Sequence, residues 1–321
     1  MRVLCVVLLM CCAALVAGAS AQSRGTATTL AERLGFSASD VVIIINGDDT
    51  GMCHAANQAT FKAMEQGLMT SATVMVPCPW FPEVSQKAKD NPKLDFGVHL
   101  THTSEWTRYR WGPVLDKSKV PGLIAPDGYL YRSEQDIYKH ATPDQAEAEA
   151  RAQIKRALTA GIDVTHIDSH MGGMQYDYRY HQRYVKLAKE FDLPLRMGPQ
   201  ALYASMGHPK YRERVAAMGL VFPDYLVHSE EPLPGETRKA FWMRVIKGLK
   251  PGVNELYIHA SDRSPEAAAT SYTWRERADD AEVFTTDTEM KDLLDTLRIK
   301  RVGYRELRDL QRRDRATRSR S

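Results

Sequence analysis

Two adjacent carboxylates, Asp48 and Asp49, close the segment Val41-Val42-Ile43-Ile44-Ile45-Asn46-Gly47. Neighbouring negative charges repel and lose hydration on folding, so a nearby cation or a shared proton would offset their cost. Read alone, the segment equally allows one Asp to cap the next helix while the other is solvated. Histidines end two further apolar segments: His99 in Leu94-Asp95-Phe96-Gly97-Val98-His99-Leu100, and His170 in Val164-Thr165-His166-Ile167-Asp168-Ser169-His170. A single strand histidine is more often a packed core residue than a ligand. Three polar strand ends of matching design favour the metal reading, because imidazole and carboxylate both suit a divalent ion. One Asp with two His leaves positions open for water and substrate, as metal-assisted hydrolysis requires. Asp168 shares strand parity with His170 and is read either as a partner orienting an imidazole or as a substrate contact. His166 has the same parity but lies deeper, as a core histidine.

The elements that must position these groups alternate. Val41–Ile45 has the β-branched composition of a buried parallel strand, and in α/β folds active groups collect at the carboxyl ends of such strands. Ala55–Gly67 reads as a helix, residues 70–77 as a second strand and Pro82–Ala88 as the next helix. Residues 103–138 read as a long irregular stretch rich in aromatics, of the kind often functional. Within it Trp106, Tyr109, Trp111 and Tyr129 could stack on sugar rings, although packing of the loop onto the core accounts for at least half of them. Thr142–Ala160 is the clearest helix, opened by Thr142-Pro143 and stopped by Gly161. Further elements are expected at Leu193–Arg196, Pro209–Met218, Glu255–Ala260 and Asp287–Leu297. The alternation indicates an α/β fold with a parallel sheet or barrel.

The chain of 321 residues, 43% hydrophobic and 26% charged, is long enough for one large domain with a substantial core. Residues 1–21 have the short basic start, apolar run and small-residue cleavage site of a signal peptide, which implies a secreted or periplasmic protein with no stable membrane span after cleavage. Residues 22–40 then form a linker, 41–305 the folded domain and 306–321 a basic, solvated tail. The net charge of +3 and the lack of a basic-aromatic platform argue against nucleic acid as a partner. Removal of the leader leaves Cys53 and Cys78, which an oxidising compartment would allow to pair. Arg275, Arg277, Asp279 and Asp280 read as a solvated charge cluster rather than a cleft network.

Asn46-Gly47-Asp48-Asp49-Thr50-Gly51 resembles the N-A-D-D-F-G opening of the YdjC-like carbohydrate deacetylases, which include chitooligosaccharide deacetylases. Asn57 and Gly67–Val76 resemble the helix and strand that follow it in that family. Gly97-Val98-His99-Leu100-Thr101, Asp168-Ser169-His170 and Tyr257-Ile258-His259-Ala260 resemble three further family segments, in order, across residues 41–305. Departures are Gly172, where the family often has a second histidine, Ala260 in place of proline, and His102 in place of an apolar residue.

The resemblance implies a (β/α) barrel, distorted or incomplete, and a hydrolase that removes acetyl groups from N-acetylated carbohydrates through metal-activated water. It implies Asp49, His99 and His170 as ligands of Mg²⁺ or Zn²⁺, Asp48 as general base and His259 as the acid protonating the amine. Asp168, His102, Trp106 and Trp111 are the expected substrate contacts, and a homodimer is left open. Which of Asp48 and Asp49 faces the ion is not decided by sequence. Competing classes are another metal-dependent hydrolase, such as a phosphoesterase or amidohydrolase, and a non-catalytic secreted carbohydrate-binding protein. An amidohydrolase would more usually carry His-x-His where this chain has Asp48-Asp49.

Overall fold

The computed structural model describes residues 28–227 and 231–319, so the expected signal peptide lies outside the described residues. Seven strands, β1 (Val41–Thr50), β2 (Ser71–Val74), β3 (Phe96–Leu100), β4 (Ile167–Ser169), β5 (Tyr225–Val227), β6 (Gly252–Ile258) and β7 (Lys300–Arg301), form one parallel sheet. Their order is β4-β3-β2-β1-β6-β5, with β7 also beside β1. The sheet curls into an incomplete (β/α) barrel surrounded by helices. No helix of the described residues is long and apolar enough to cross a membrane.

Strand parity sorts the side chains of β1. Ile43 and Ile45 join the main core, together with residues of the outer helices such as Phe61 and Ile154. Val42 and Ile44 instead meet Val253, Tyr304, Leu307 and Leu310 in a second apolar cluster that plugs the floor of the barrel. Full burial of each isoleucine stabilises the fold by about 2 kcal/mol. Continuing that inward parity up the strands places Asn46 and Asp48 on β1, and Glu255, Tyr257 and then His259 on and just beyond β6, above the plug. An apolar floor beneath a polar upper layer is what aims the chemistry toward the carboxyl ends of the strands.

The structure departs from the sequence expectations at three places. Residues 304–318 are a helix, not a solvated tail, because Tyr304, Leu307 and Leu310 recur on one face among the arginines and bury against the sheet. Within the stretch read as a linker, Leu30–Arg33 is a short helix with a Thr29–Glu32 capping box, and Leu30 and Ala31 complete the floor. Leu193–Arg196 is not a strand, and only Leu195 bridges Ile167. Pro194 has no N–H to give a ladder.

The Pro143–Thr159 helix forms as expected, with Thr142 as its cap. Its buried Gln153 accepts from the Thr101 N–H at 2.8 Å and donates to the Thr101 carbonyl at 2.7 Å. Glu149, one turn earlier, accepts from the N–H groups of Val114 and Leu115 at 2.8 and 3.0 Å. The helix thereby clamps both the end of β3, which carries His99, and the long aromatic loop.

Candidate active site

Consecutive residues of a strand point to opposite faces, yet Asp48 and Asp49 both line the same cavity. The register of β1 against β2 slips between Gly47 and Thr50, and Asp49 adopts φ 64°. A left-handed backbone at a non-glycine residue costs about 1–2 kcal/mol. The turn is held by Asn57, whose side-chain oxygen accepts from the Gly51 N–H at 2.6 Å.

Asp49 Oδ1 lies 3.3 Å from His99 Nε2 and 3.2 Å from His170 Nδ1, and those two nitrogens are 3.3 Å apart. All three side chains are buried. Among the described residues neither Asp49 oxygen has a partner in hydrogen-bonding geometry, although Oδ2 is ion-paired with Arg277 Nη2 at 2.9 Å. The outer nitrogen of each imidazole is held by a carboxylate: His99 Nδ1 by Asp168 at 2.6 Å and His170 Nε2 by Glu105 at 2.9 Å. With those contacts made, the remaining ring nitrogens turn inward toward Asp49, the arrangement by which carboxylates orient metal-binding histidines. Asp49 Oδ1, buried without a hydrogen bond, and the two inward nitrogens fit a divalent cation. Burial alone would depress both imidazoles, but Asp168 beside His99 and Glu105 beside His170 outweigh it and lift them to about 10 and about 9. Protons and a cation would compete for the same lone pairs.

His170 reaches this point through a sharp turn in which Met171 and Gly172 both have positive φ, 50° and 66°. A Cβ at Gly172 would stand 2.3 Å from the Tyr176 ring, so a second histidine there would have to displace Tyr176 and adopt a left-handed backbone.

Asp48 belongs to a different group. Arg196 grips it with two bonds of 2.7 and 2.8 Å, reaches Asp168 Oδ2 at 3.0 Å and donates from Nε to Glu255 at 2.8 Å. Glu255 in turn accepts from the Tyr304 hydroxyl at 2.6 Å. Burial would raise the Asp48 pKa, but Arg196 outweighs it and holds the carboxylate well below its usual range. Burial raises that of Glu255, with Arg196 opposing it. Asp48 and Asp168 are thus tied together through one guanidinium.

His259 lines the cavity with Nε2 3.9 Å from Asp49 Oδ2. Burial, opposed by Asp49 and reinforced by Arg277, lowers its pKa to about 4, so it is a neutral imidazole at pH 7. Trp106 also lines the cavity. Three expected substrate contacts are placed elsewhere. His102 is buried away from the cavity with Nε2 2.9 Å from the Ala146 carbonyl, because clamping of Thr101 turns the chain at that point. Trp111 donates to the Thr103 carbonyl at 2.9 Å and packs the loop behind His170. Asp168 is fully buried as the His99 partner and does not reach the cavity.

Two residues of the cavity, Glu105 and Arg196, escape the sequence reading, and a third, Arg277, is read there as solvated. Arg277 and Asp280 are buried in the cavity wall, not solvated, since the Trp274–Thr285 helix packs that face inward. Only for Arg196 is there a hint, its place directly after the apolar Leu193-Pro194-Leu195. Cys53 and Cys78 are both free and buried, and burial pushes each thiol up.

The cavity above these groups measures about 740 Å³, and Trp106, Tyr176, Leu202, Tyr257 and Tyr272 give it apolar and aromatic walls. Fold and site together define an incomplete parallel barrel with a carboxylate–bis-histidine centre at the carboxyl ends of its strands. The profile described as YdjC-like protein matches residues 42–296, and the chain belongs to that family. A carbohydrate deacetylase of Thermoanaerobacter pseudethanolicus is 24% identical to it over 80% of this chain and 94% of its own length. One from Thermus thermophilus is 31% identical over 75% of this chain and 84% of its own. Among solved structures, a protein of Enterococcus faecalis provisionally assigned to cellobiose-phosphate cleavage superposes with a TM-score of 0.71 at 25% identity, covering 84% of this chain and 99% of its own.

Proposed function

We propose that this protein is a cation-dependent carbohydrate deacetylase that hydrolyses the acetamide of N-acetylated sugars, releasing acetate and a free amine. The observation that carries the reading is the buried Asp49 carboxylate facing two carboxylate-backed imidazoles, with a second carboxylate, Asp48, in the same cavity. The names of the relatives support the carbohydrate and the acetyl group.

Asp49, His99 and His170 would hold the cation, Zn²⁺ in preference to Mg²⁺ on an imidazole-rich donor set. When bound it would polarise the acetamide carbonyl and lower the pKa of water. Asp48 takes the proton as the water oxygen bonds to the carbonyl carbon. Arg196 keeps it ionised and fixed, which makes it a weaker base. The carbon–nitrogen bond then breaks, and the nitrogen leaves with a proton from His259. That imidazole, neutral at rest, takes a proton from water in the cavity as negative charge builds beside it, and Asp48 returns the proton it accepted to that water. The aromatic walls hold the sugar by its apolar C–H faces.

The test is acetate release from N,N′-diacetylchitobiose by protein lacking residues 1–21, with and without chelator, beside Asp48→Asn. Chelator-sensitive release, reduced about 10²–10⁴-fold in the variant, is the expected result. Cation retention with no release from any N-acetylated sugar would overturn the proposal and favour phosphoesters. The apolar leader supports export, and the mass of the protein recovered from a secreting host should match cleavage near Ala21.

A further inference from the structure

Three arginines line the cavity, and they differ in what their donors do. Arg196 is engaged through Nε and both terminal nitrogens, by Glu255, Asp48 and Asp168. Arg238 is fixed to Asp280 by two bonds of 2.8 and 2.6 Å. Arg277 is different. Its Nε donates to Thr273 Oγ1 at 3.1 Å and its Nη2 lies 2.9 Å from Asp49 Oδ2, while its Nη1 is buried with no acceptor among the described residues. The guanidinium sits 5.4 Å from the Trp106 ring, and the residue is only 8% exposed.

A buried guanidinium N–H without an acceptor is costly, and native structures rarely keep one without a use. The Thr273 tether and the Trp106 ring fix the plane of the guanidinium and so the direction of the unpaired donor. Its neighbour Asp49 is the residue on which the cation site converges. Arg277 and Asp49 both line the cavity, so a carbonyl oxygen brought to the cation site stands beside the Arg277 guanidinium.

We propose that Arg277 is a catalytic residue that donates from Nη1 to the acetamide oxygen. The assignment rests on the deacetylase reading. The oxygen takes the carbonyl π pair when water adds to the carbon, and returns it when the carbon–nitrogen bond breaks. Arg277 loses no proton in either step. Its bond to the oxygen is charge-assisted and strengthens as negative charge gathers, so it acts on the transition state more than on bound substrate. A lysine would keep the charge but lose both the Thr273 tether and the planar fork.

The test compares Arg277→Gln and Arg277→Lys with wild type as cation-loaded protein. It measures bound metal by mass spectrometry, kcat and KM on N,N′-diacetylchitobiose, and acetate affinity by calorimetry. Arg277→Gln should retain the cation, lose about 10²–10³ in kcat with KM changed less than about threefold, and bind acetate at least about tenfold more weakly. Arg277→Lys should retain the cation and remain impaired in kcat. Loss of cation in step with activity would overturn the proposal and make Arg277 a residue that merely holds Asp49; so would an unchanged kcat. Wild type that releases no acetate from any N-acetylated sugar would defeat the deacetylase reading, and acetate binding then judges Arg277 separately. Weaker acetate binding in a cation-replete Arg277→Gln upholds the anion-facing donor, and equal binding overturns it.

Discussion

His99 Nδ1 meets Asp168 Oδ1 at 2.6 Å, while the other oxygen of the same carboxylate accepts from Thr73 at 2.9 Å and faces Arg196 at 3.0 Å. Asp168 is therefore the joint between the histidine centre and the Arg196 network. Asp168→Asn keeps the shape but weakens the hold on the imidazole and its tautomer. Cation affinity, read by titration against a competing chelator, should fall about 10–100-fold. An unchanged affinity would mean that His99 needs no outer partner.

Arg196 should matter to the fold as much as to turnover. Its removal leaves Asp48, Asp168 and Glu255 buried around one missing positive charge. Loss of one member of a buried ion network costs about 3–5 kcal/mol. Arg196→Met should lower the urea midpoint accordingly. Adding Glu255→Gln should restore part of it, since one uncompensated carboxylate is then gone. Additive losses in the double variant would show that the two residues are not coupled.

These relationships mark where the sequence stops being readable. Asp49, His99 and His170 stand out because each ends a β-branched or apolar run, where packing alone would not place a polar residue. The Thr142–Gly161 helix is legible from its caps. Arg196 and Asp48 are 148 residues apart and meet only because the sheet curls, and Arg196 lies where Pro194 spoils a strand pattern. Glu105 sits in a loop with no period, so nothing local aims it at His170. Arg277 hides in a run of charges that looks like any solvated helix face. The closing helix beyond residue 303 hides for the same reason, since its three buried apolar residues, Tyr304, Leu307 and Leu310, are outnumbered by its arginines. His102 misleads in the other direction: it follows His99 closely, yet it is buried with its ring on the Ala146 carbonyl.

Acid should unfold the protein from within. His102 and His181 are lowered by burial to about 4 and about 3, and burial holds His166 well below the usual range. Each is neutral in the fold and protonated in the unfolded chain below its ordinary pKa of 6.5. The stability they contribute is complete above pH 6.5 and is lost as pH falls through the folded values. Asp95 acts oppositely: burial raises it to about 6, so its contribution is complete at low pH and is lost as pH rises through that value. His259 is lowered to about 4 in the same way, so near pH 5 the unfolded chain binds four more histidine protons, while the folded chain holds one extra on Asp95. Stability should then fall by roughly 3–4 kcal/mol per pH unit between pH 6 and 5. Urea midpoints across that range provide the check, and a flat profile would show that these imidazoles already carry protons in the fold.

Trp106 and Trp111 pack edge to face with ring centroids 5.6 Å apart, and both are buried, yet only Trp106 lines the cavity. Trp111 bonds the Thr103 carbonyl and lies 6.2 Å from the His170 ring, so it holds the loop that carries Glu105. Trp111→Phe should lower stability by about 1–3 kcal/mol, because it leaves the Thr103 carbonyl without its donor and underfills the loop. It should leave KM for N-acetylated sugars nearly unchanged. Trp106→Phe keeps most of the packing but shrinks the aromatic wall, and should raise KM up to about tenfold with a smaller stability loss. A KM effect at Trp111 equal to that at Trp106 would mean that the loop moves as one body against the sugar and the cavity wall is not set by Trp106 alone.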